Sequence, residues 1–414
     1  MNTNSPTARL TQFLLVATLS ATPVLAGDWA SYLLGGDSDS GINGSLIYTS
    51  TADFGGGTTI NGVSFSDSGT SGTNYSLGGV FASPFTGYAN GLAGALNGAA
   101  SSFLYNGNGT GDNSMTLTGL TIGQQYVTSW YNASFGGRRY IDITPSDTGL
   151  AFRFNEDANV GGAGNVLRYA FTATATSQTY NFDAVSNGDS FHHYAFSNAE
   201  RNDGVFSYTH FAPVTPIVTN VSGQDSPFTP SNTDLLQTSV ASMVSIGNFN
   251  REPILGGLGV LTDGTMSLGI GGNRPGMVTG ENNSSITYTL DTSANTFGYD
   301  VSSITGFGGW GDGGRDEQRY SIFVSQIGSP DFILYGQLQE NPASPGSPSG
   351  VMAQFNGSIS NIDEVKFVFL DQVENGFVGY GEFDVVGTAS VPEPTSVTLG
   401  LLGGLAFLSR RRRK

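Results

Sequence analysis

Turn-forming residues interrupt this chain roughly every eight to fifteen residues, and the runs between them alternate apolar and polar side chains. Residues 45–49 and 114–118 show the pattern in the first half, and residues 284–290 and 320–324 show it in the second. An alternation of period two is typical of a strand with one buried face. The sequence therefore predicts an all-β protein, in which residues 88–100, weakened by glycines, are the only clear helical candidate.

A proline-rich segment divides the chain. Residues 212–232 carry four prolines in 21 positions, which is the composition of a boundary or a semi-rigid linker, although residues 216–221 also fit an opening strand. We predict two antiparallel, jelly-roll-like β-sandwich domains, at residues 27–211 and 233–388. Within the second, residues 235–246 fit either a strand pair or a short helix.

The N-terminus predicts export. Arg9 is the only charged residue before Asp28, a short apolar run follows it, and Val24, Leu25 and Ala26 form a small-residue cleavage site. This is the layout of a secretory signal peptide over residues 1–26, with cleavage between Ala26 and Gly27.

The C-terminus, residues 389–414, has three parts in a fixed order. An extended stalk of Val391, Pro392, Glu393 and Pro394 comes first, then an uncharged apolar stretch, then a basic end. The basic end consists of Arg410, Arg411, Arg412, Arg413 and Lys414. The uncharged stretch would make about 22 Å of helix, which is short against a bilayer core of roughly 30 Å. The five cations would stay on the cytoplasmic side.

This tail resembles the sorting signal of PEP-CTERM proteins, a family of exported envelope proteins of double-membraned bacteria. The resemblance implies that an exosortase, a membrane-embedded processing enzyme, cuts near Pro392, Glu393 and Pro394 and releases the body to the outer surface or extracellular matrix. It also implies a transient anchor in the inner membrane. The alternative is a tail anchor that is never cut.

A second resemblance concerns fold. The block from Gly298 through Trp310 to Ser325, with the closing run at residues 377–386, is similar to galactose-binding-like jelly-roll sandwiches. In the first half, residues 117–126 resemble a strand–turn–strand corner of bacterial surface sandwiches, which implies that Tyr126 enters the core.

Charge and cysteine content exclude several classes of function. Between residues 27 and 391 there are ten cations and 32 acids, a formal charge of −22 that repels nucleic acid. The chain has no cysteine, so disulfides, thiolate metal sites and a cysteine nucleophile are excluded. No nucleophile elbow and no phosphate-binding loop with its lysine occurs.

The glycine-rich loop around Trp310 is the candidate ligand site. Its glycines would expose the ring beside Asp312, Arg315 and Asp316, and a ring beside hydrogen-bonding groups suits a sugar. The same carboxylates would suit Ca²⁺, so structural calcium stays open while no other cofactor is expected. The alternative is that Trp310 caps the end of the sandwich.

Two other motifs are candidate metal sites and fit that role less well. Two of the three histidines, His192 and His193, are adjacent and would point to opposite faces of a strand, which argues against a metal site; the third is His210. The acidic run that begins at Asp37 lacks the glycine and glutamate of a calcium loop and fits a turn.

Two hypotheses on function follow. The first is a non-catalytic structural or adhesive protein of the cell envelope, in contact with exopolysaccharide. The alternative is a carbohydrate-active enzyme or esterase on a β-sandwich, which acidic residues lining a deep cleft would favour.

Overall fold

The protein is all-β, as the sequence predicts. The computed structural model describes residues 27–107, 111–136, 139–157, 164–186, 188–201, 211–252, 256–269, 274–282, 284–312, 314–329, 331–339, 348–370 and 376–391. The predicted signal peptide, the sorting signal from Pro392 onward and His210 lie outside these residues. None of the described helices is long and apolar enough to cross a bilayer.

The strands fall close to the predicted runs. Those of the first half are β1 Asp28–Leu34, β2 Tyr48–Asp53, β3 Thr58–Ile60, β4 Val63–Phe65, β5 Ser71–Gly72, β6 Tyr75–Gly78, β7 Asn113–Thr118, β8 Gln125–Ala133, β9 Tyr140–Pro145, β10 Phe152–Asn155, β11 Gly164–Thr172, β12 Ser177–Ala184 and β13 Ala195–Glu200. Those of the second half are β14 Ile217–Ser222, β15 Val240–Ile246, β16 Val278–Glu281, β17 Ser285–Leu290, β18 Tyr299–Trp310, β19 Tyr320–Gln326, β20 Phe332–Leu338, β21 Ser349–Phe369 and β22 Phe377–Ala389.

The helices are short. In the described residues they are α1 Ala95–Ala99, α2 Leu235–Thr238 and two 3-10 turns, Asp37–Asp39 and Leu258–Thr262. The helical candidate at residues 88–100 is thus little more than a single turn, because Gly91, Gly94 and Gly98 weaken it. Residues 235–246 form the short helix α2, as one alternative predicts, and then the single strand β15 in place of a strand pair.

One antiparallel sheet, which we call the shared sheet, runs through both halves. Its strand order is β15-β17-β21-β19-β20-β1-β11-β8-β13-β2. The halves are joined where β1 pairs with β20, with Ala30 opposite Ile333 and Ser31 opposite Phe332. The other side of β1 pairs with β11 over its whole length.

Two further layers of strands cover opposite faces of the shared sheet: a separate six-stranded sheet in the first half, and in the second half strands of the same 14-stranded sheet that continue from β21. In the first half the six-stranded sheet β10-β9-β12-β7-β6-β5 packs on a core that includes Trp29, Trp130 and Phe182. In the second half β16, β22, β18 and β14 cover a core around Phe367. Because side chains alternate along a strand, Trp29 belongs to the first core and its neighbour Ala30 to the second. The result is two β-sandwiches that use opposite faces of one sheet.

The long strand β21 connects the two layers of the second sandwich. Its first residues pair with β14 and β18, and its last residues pair with β17 and β19. Asn361, with a φ of 65°, lies between these two parts. This element is therefore one strand that passes from the covering layer into the shared sheet.

The segment 212–232 contains a paired strand, although most of its residues are exposed or half-buried. Its residues 217–222 form β14, which confirms the opening strand expected there, and the amide of Val214 donates to the carbonyl of Tyr335 at 2.9 Å. The first-half corner is also confirmed, because Tyr126 is 1 % exposed and its hydroxyl accepts from the amide of Thr121. The division into two separately folding domains stays a prediction.

Candidate functional site

The predicted exposure of Trp310 is wrong. Trp310 is the last residue of β18, and its side chain is 0 % exposed. The guanidinium carbons of Arg274 and Arg315 lie 4.5 and 5.2 Å from the ring centroid. A ring enclosed in this way offers no free face to a sugar. The alternative, in which Trp310 caps the end of the sandwich, agrees with this burial.

The other residues of the Trp310 loop form a charged cluster. Arg315 Nη2 lies 3.0 Å from Glu252 Oε1, and Arg315 Nη1 lies 3.9 Å from Asp312 Oδ2. Asp312 is exposed, and Arg274 reaches it at 3.5 Å, whereas Asp316 is buried. The structure thus brings Asp312 and Arg315 together and adds Arg274 and Glu252, which sequence reasoning missed. Ligand binding by this loop stays a prediction, now without an aromatic platform.

The adjacent histidines are engaged in different contacts. The His192 ring stacks on Phe103 with centroids 4.1 Å apart, and its Nδ1 lies 3.1 Å from Glu156 Oε1. His193 Nε2 lies 2.8 Å from Asn113 Oδ1. Burial lowers the pKa of both rings, that of His193 to about 3. Within the described part of the chain, no three His, Asp or Glu side chains are placed to hold a metal ion.

The acidic run at Asp37 is a turn, as predicted. The carboxylate of Asp37 accepts from the amides of Ala95 and Leu96 at 2.8 and 2.9 Å, at the start of α1. The carboxylate of Asp39 accepts from the amides of Gly35 and Gly36, both at 2.8 Å. These oxygens are used within the fold.

Two acidic clusters that the sequence did not single out are buried. In the first half, Glu156 and Asp157 lie 3.3 and 3.6 Å from Nε of Arg139, and burial raises the pKa of both carboxyl groups. In the second half, burial raises the pKa of Glu382 to about 9 and that of Asp384 to about 7.

Three hydrogen-bond donors act against the effect of burial on the pKa of Glu382. One carboxyl oxygen accepts from the amides of Asp263 and Gly264 at 3.1 and 3.0 Å. The other lies 2.9 Å from Nε2 of Gln237. Neither acidic cluster lines the two cavities described next, so neither supplies the acid-lined cleft that would favour an enzyme.

At the seam between the halves, β1, β10 and β11 meet β19, β20 and β21. Buried and half-buried side chains there form hydrogen bonds from one half to the other. Arg168 donates to Asp331 at 2.5 Å and to the hydroxyl of Tyr32 at 2.8 Å, all three buried. The amide of Gln337 pairs with the backbone of Arg153, accepting from N at 3.0 Å and donating to O at 2.9 Å. Gln337 therefore extends β10 toward the second half as a strand would.

A groove of about 440 Å³, which we call the seam groove, opens along this junction. Trp29, Leu150 and Phe152 line it from the first half. From the second half its walls are Leu334, Leu338, Gln337 and Gln339, together with residues 212–216 and Val218. Leu150 is 70 % exposed and stands at its rim. The volume falls in the range of ligand pockets, and apolar walls with a few amides are their usual lining.

Phe152 also lines a second, smaller cavity, of about 70 Å³, whose wall includes Lys366. Sequence reasoning missed both cavities, because each forms only where the two halves meet. The one signal in the sequence is that Lys366 is the only lysine between residues 27 and 391.

No known protein family matches the sequence, and no curated protein matches it. Solved structures do resemble the fold. One comprises the CBM32-1, CBM32-2 and M60 catalytic domains of Clostridium perfringens ZmpB, with 10 % identity and a TM-score of 0.28. The match covers 78 % of this chain but only 38 % of the length of that structure. The CBM32-1 and CBM32-2 pair of the same protein with GalNAc gives 10 % identity and a TM-score of 0.27, covering 74 % of this chain and 89 % of that one.

A third similar structure is the F5/8 type C domain of a Bacteroides fragilis protein, with 14 % identity and a TM-score of 0.21, covering 30 % of this chain and 80 % of that one. The neighbours are thus carbohydrate-binding modules and related galactose-binding-like sandwiches. At TM-scores this low the likeness assigns neither a family nor a ligand, and the fold stands on the strand pairings themselves.

Proposed function

We propose that this chain is an exported, non-catalytic protein of the cell envelope that contacts a glycan through the seam groove. The observation that carries the proposal is the groove itself, about 440 Å³ of mainly apolar wall. Pyranose rings pack on apolar surfaces. The amide of Gln337 is occupied by the Arg153 backbone, so the apolar wall, with Leu150 at its rim, supplies the contact. Among the described residues, no charged side chain lines the groove. Gly27 also lines it, so a chain cut after Ala26 would carry one charge there, on its α-amino group.

Export is supported by the two ends of the sequence. Strand β1 begins at Asp28, directly after the predicted cleavage between Ala26 and Gly27, and β22 ends at Ala389, just before the stalk. An exosortase would then act near Pro392, Glu393 and Pro394, after transient anchoring in the inner membrane. The released body would reside on the outer surface or in the extracellular matrix.

Intact-mass measurement of the protein recovered from the surface of a producing cell tests the sorting part. The expected product begins at Gly27 and lacks residues 410–414. A surface form that retains Lys414 would contradict exosortase processing and leave a permanent tail anchor.

A glycan array with matched variants tests the binding part. Leu150→Asp places a charge at the groove rim, whereas Ile122→Asp makes the same kind of change at a residue 64 % exposed that does not line the groove. Both side chains are exposed, so both variants should keep the parent's melting temperature. We expect at least tenfold weaker glycan binding for Leu150→Asp and no change for Ile122→Asp.

Equal binding by all three proteins would remove the groove as the site, and a parent that binds no glycan would contradict the proposal. The alternative of a carbohydrate-active enzyme or esterase stays a prediction. Hydrolysis of a glycan or ester by the purified chain, lost on Glu156→Gln or Glu382→Gln, would favour it.

A further inference from the structure

The smaller cavity of the seam combines aromatic walls with a lysine that forms no ion pair among the described residues. Its wall is formed by β1, β10, β11, β15, β17, β19, β20 and β21, and the rings of Phe152, Phe323 and Phe332 contribute to it. Leu33 and Ile246, 46 % and 49 % exposed, also line it, so the cavity reaches the surface there. A volume of about 70 Å³ admits a small polar group but not a whole sugar ring.

Lys366 is the cation. It lies on β21 between Thr287 of β17 and Phe323 of β19, and its Nζ is 5.3 Å from the centre of the Phe332 ring. No carboxylate oxygen of the described residues lies within the 4.0 Å of an ion pair to it. Glu364, two residues away on the same strand face, accepts from the hydroxyl of Thr289 instead.

The other cation in the wall is already neutralised. Arg153 donates to both oxygens of Asp142, at 2.8 and 2.7 Å, in a bidentate pair. Ser31, Ser285 and Ser321 add hydroxyl groups to the wall. The cavity therefore presents one ammonium and several neutral hydrogen-bonding groups, with no free guanidinium fork of the kind that favours phosphate.

We propose that this cavity is a binding site for a carboxylate group, with the Lys366 ammonium as its counter-ion. A partly buried ammonium without a partner is costly, and an entering carboxylate supplies the partner. A single positive charge matches a monoanion. The body has a formal charge of −22, so its surface is mainly acidic, whereas the charged group in this cavity is a cation.

The environment of the ammonium supports the same conclusion. Burial lowers the pKa of Lys366, while the charge of Glu364 raises it. A bound carboxylate stabilises the charged ammonium, so it raises this pKa further. The carboxylate can come from a free small acid or from a uronic acid within a glycan, whose ring would then lie outside at Leu33 and Ile246.

The lysine content of the chain permits a direct test. Lys366 and Lys414 are its only lysines, so the full chain with Lys414→Arg, grown with lysine labelled at Cε, gives one lysine signal. We expect sodium acetate and sodium glucuronate to shift that signal in a saturable manner and to raise the pKa that it reports, while glucose does neither. A response to glucuronate alone identifies a sugar acid, and a response to acetate alone identifies a small free acid.

Calorimetry on variants completes the test. Lys366→Met should weaken carboxylate binding at least tenfold, whereas Arg251→Met, which removes a cation 54 % exposed and outside the cavity, should leave it unchanged. No saturable shift with either acid, or equal binding by Lys366→Met, would overturn the proposal. The seam groove is tested with neutral glycans and Leu150→Asp, whereas the cavity is tested with acids and Lys366→Met. The two tests are independent, so one proposal can fail while the other stands.

Discussion

The burial of Trp310 leads to a prediction that separates its two possible roles. Replacing Trp310 with alanine removes a fully buried indole that packs with Leu268 and Met277 in a small core at the end of the second sandwich. The guanidinium groups of Arg274 and Arg315 would lose the ring that they cover. We therefore expect a loss of stability and no specific loss of ligand binding.

The magnitude follows from the contacts. Truncation of a buried tryptophan or phenylalanine to alanine costs about 3–5 kcal/mol. Each guanidinium–ring contact at a site shielded from water adds roughly 1–2 kcal/mol. For a folding unit of 150–250 residues, each kcal/mol lowers Tm by about 2–4 °C, so a drop of at least roughly 6 °C is expected in thermal unfolding.

Two variants serve as controls. Trp310→Phe keeps part of the ring and should fall between the parent and Trp310→Ala. Phe297→Ala removes an aromatic side chain that is 48 % exposed and should cost far less. If Trp310→Ala lost under about 1 kcal/mol, the ring would not be a core residue. If it also abolished glycan binding, the loop would regain its place as a sugar site.

Three further predictions concern the seam, a buried acid and the boundary segment. Asp331→Ala leaves Arg168 buried without its partner and should cost about 3–5 kcal/mol in denaturant unfolding, most of which the double variant with Arg168→Met should restore. Because burial raises the pKa of Glu382 from 4.5 to about 9, stability should fall as pH rises through that interval, and Glu382→Gln should flatten the fall in Tm between pH 5 and 9. Limited proteolysis should cut first at residues 223–226, which follow β14, and give β-rich fragments that co-elute in gel filtration; fragments that separate or give helical spectra would contradict this.

The sequence predicts the strands well where local chemistry decides them. Residues 114–118 alternate between buried and exposed positions, and the strand found there, β7, differs from the prediction by one residue. The fold class and the burial of Tyr126 follow from the same local pattern. The length of β21 does not follow from a local pattern, because both of its parts are paired with neighbours far away in sequence.

The candidate site could be predicted much less well. The glycines around Trp310 favour an exposed loop, but Arg274, 36 positions earlier, lies over the ring. The seam groove depends on β1 pairing with β20, a contact across some 300 residues that no local pattern announces. Prediction from the sequence thus fails for Trp310 and for the seam groove for the same reason, because long-range packing decides which surfaces remain exposed.

The position of β1 also determines the order in which its two edges can be paired during synthesis. A chain emerges with its N-terminus first, so Asp28–Leu34 is available long before either of its partners. One edge is filled when β11 appears, but the other must wait for Phe332–Leu338. Until then the first half exposes a strand edge, which is a template for pairing with other chains. A truncated product ending before residue 332 should therefore aggregate, and a factor that holds the emerging chain should matter most during this interval.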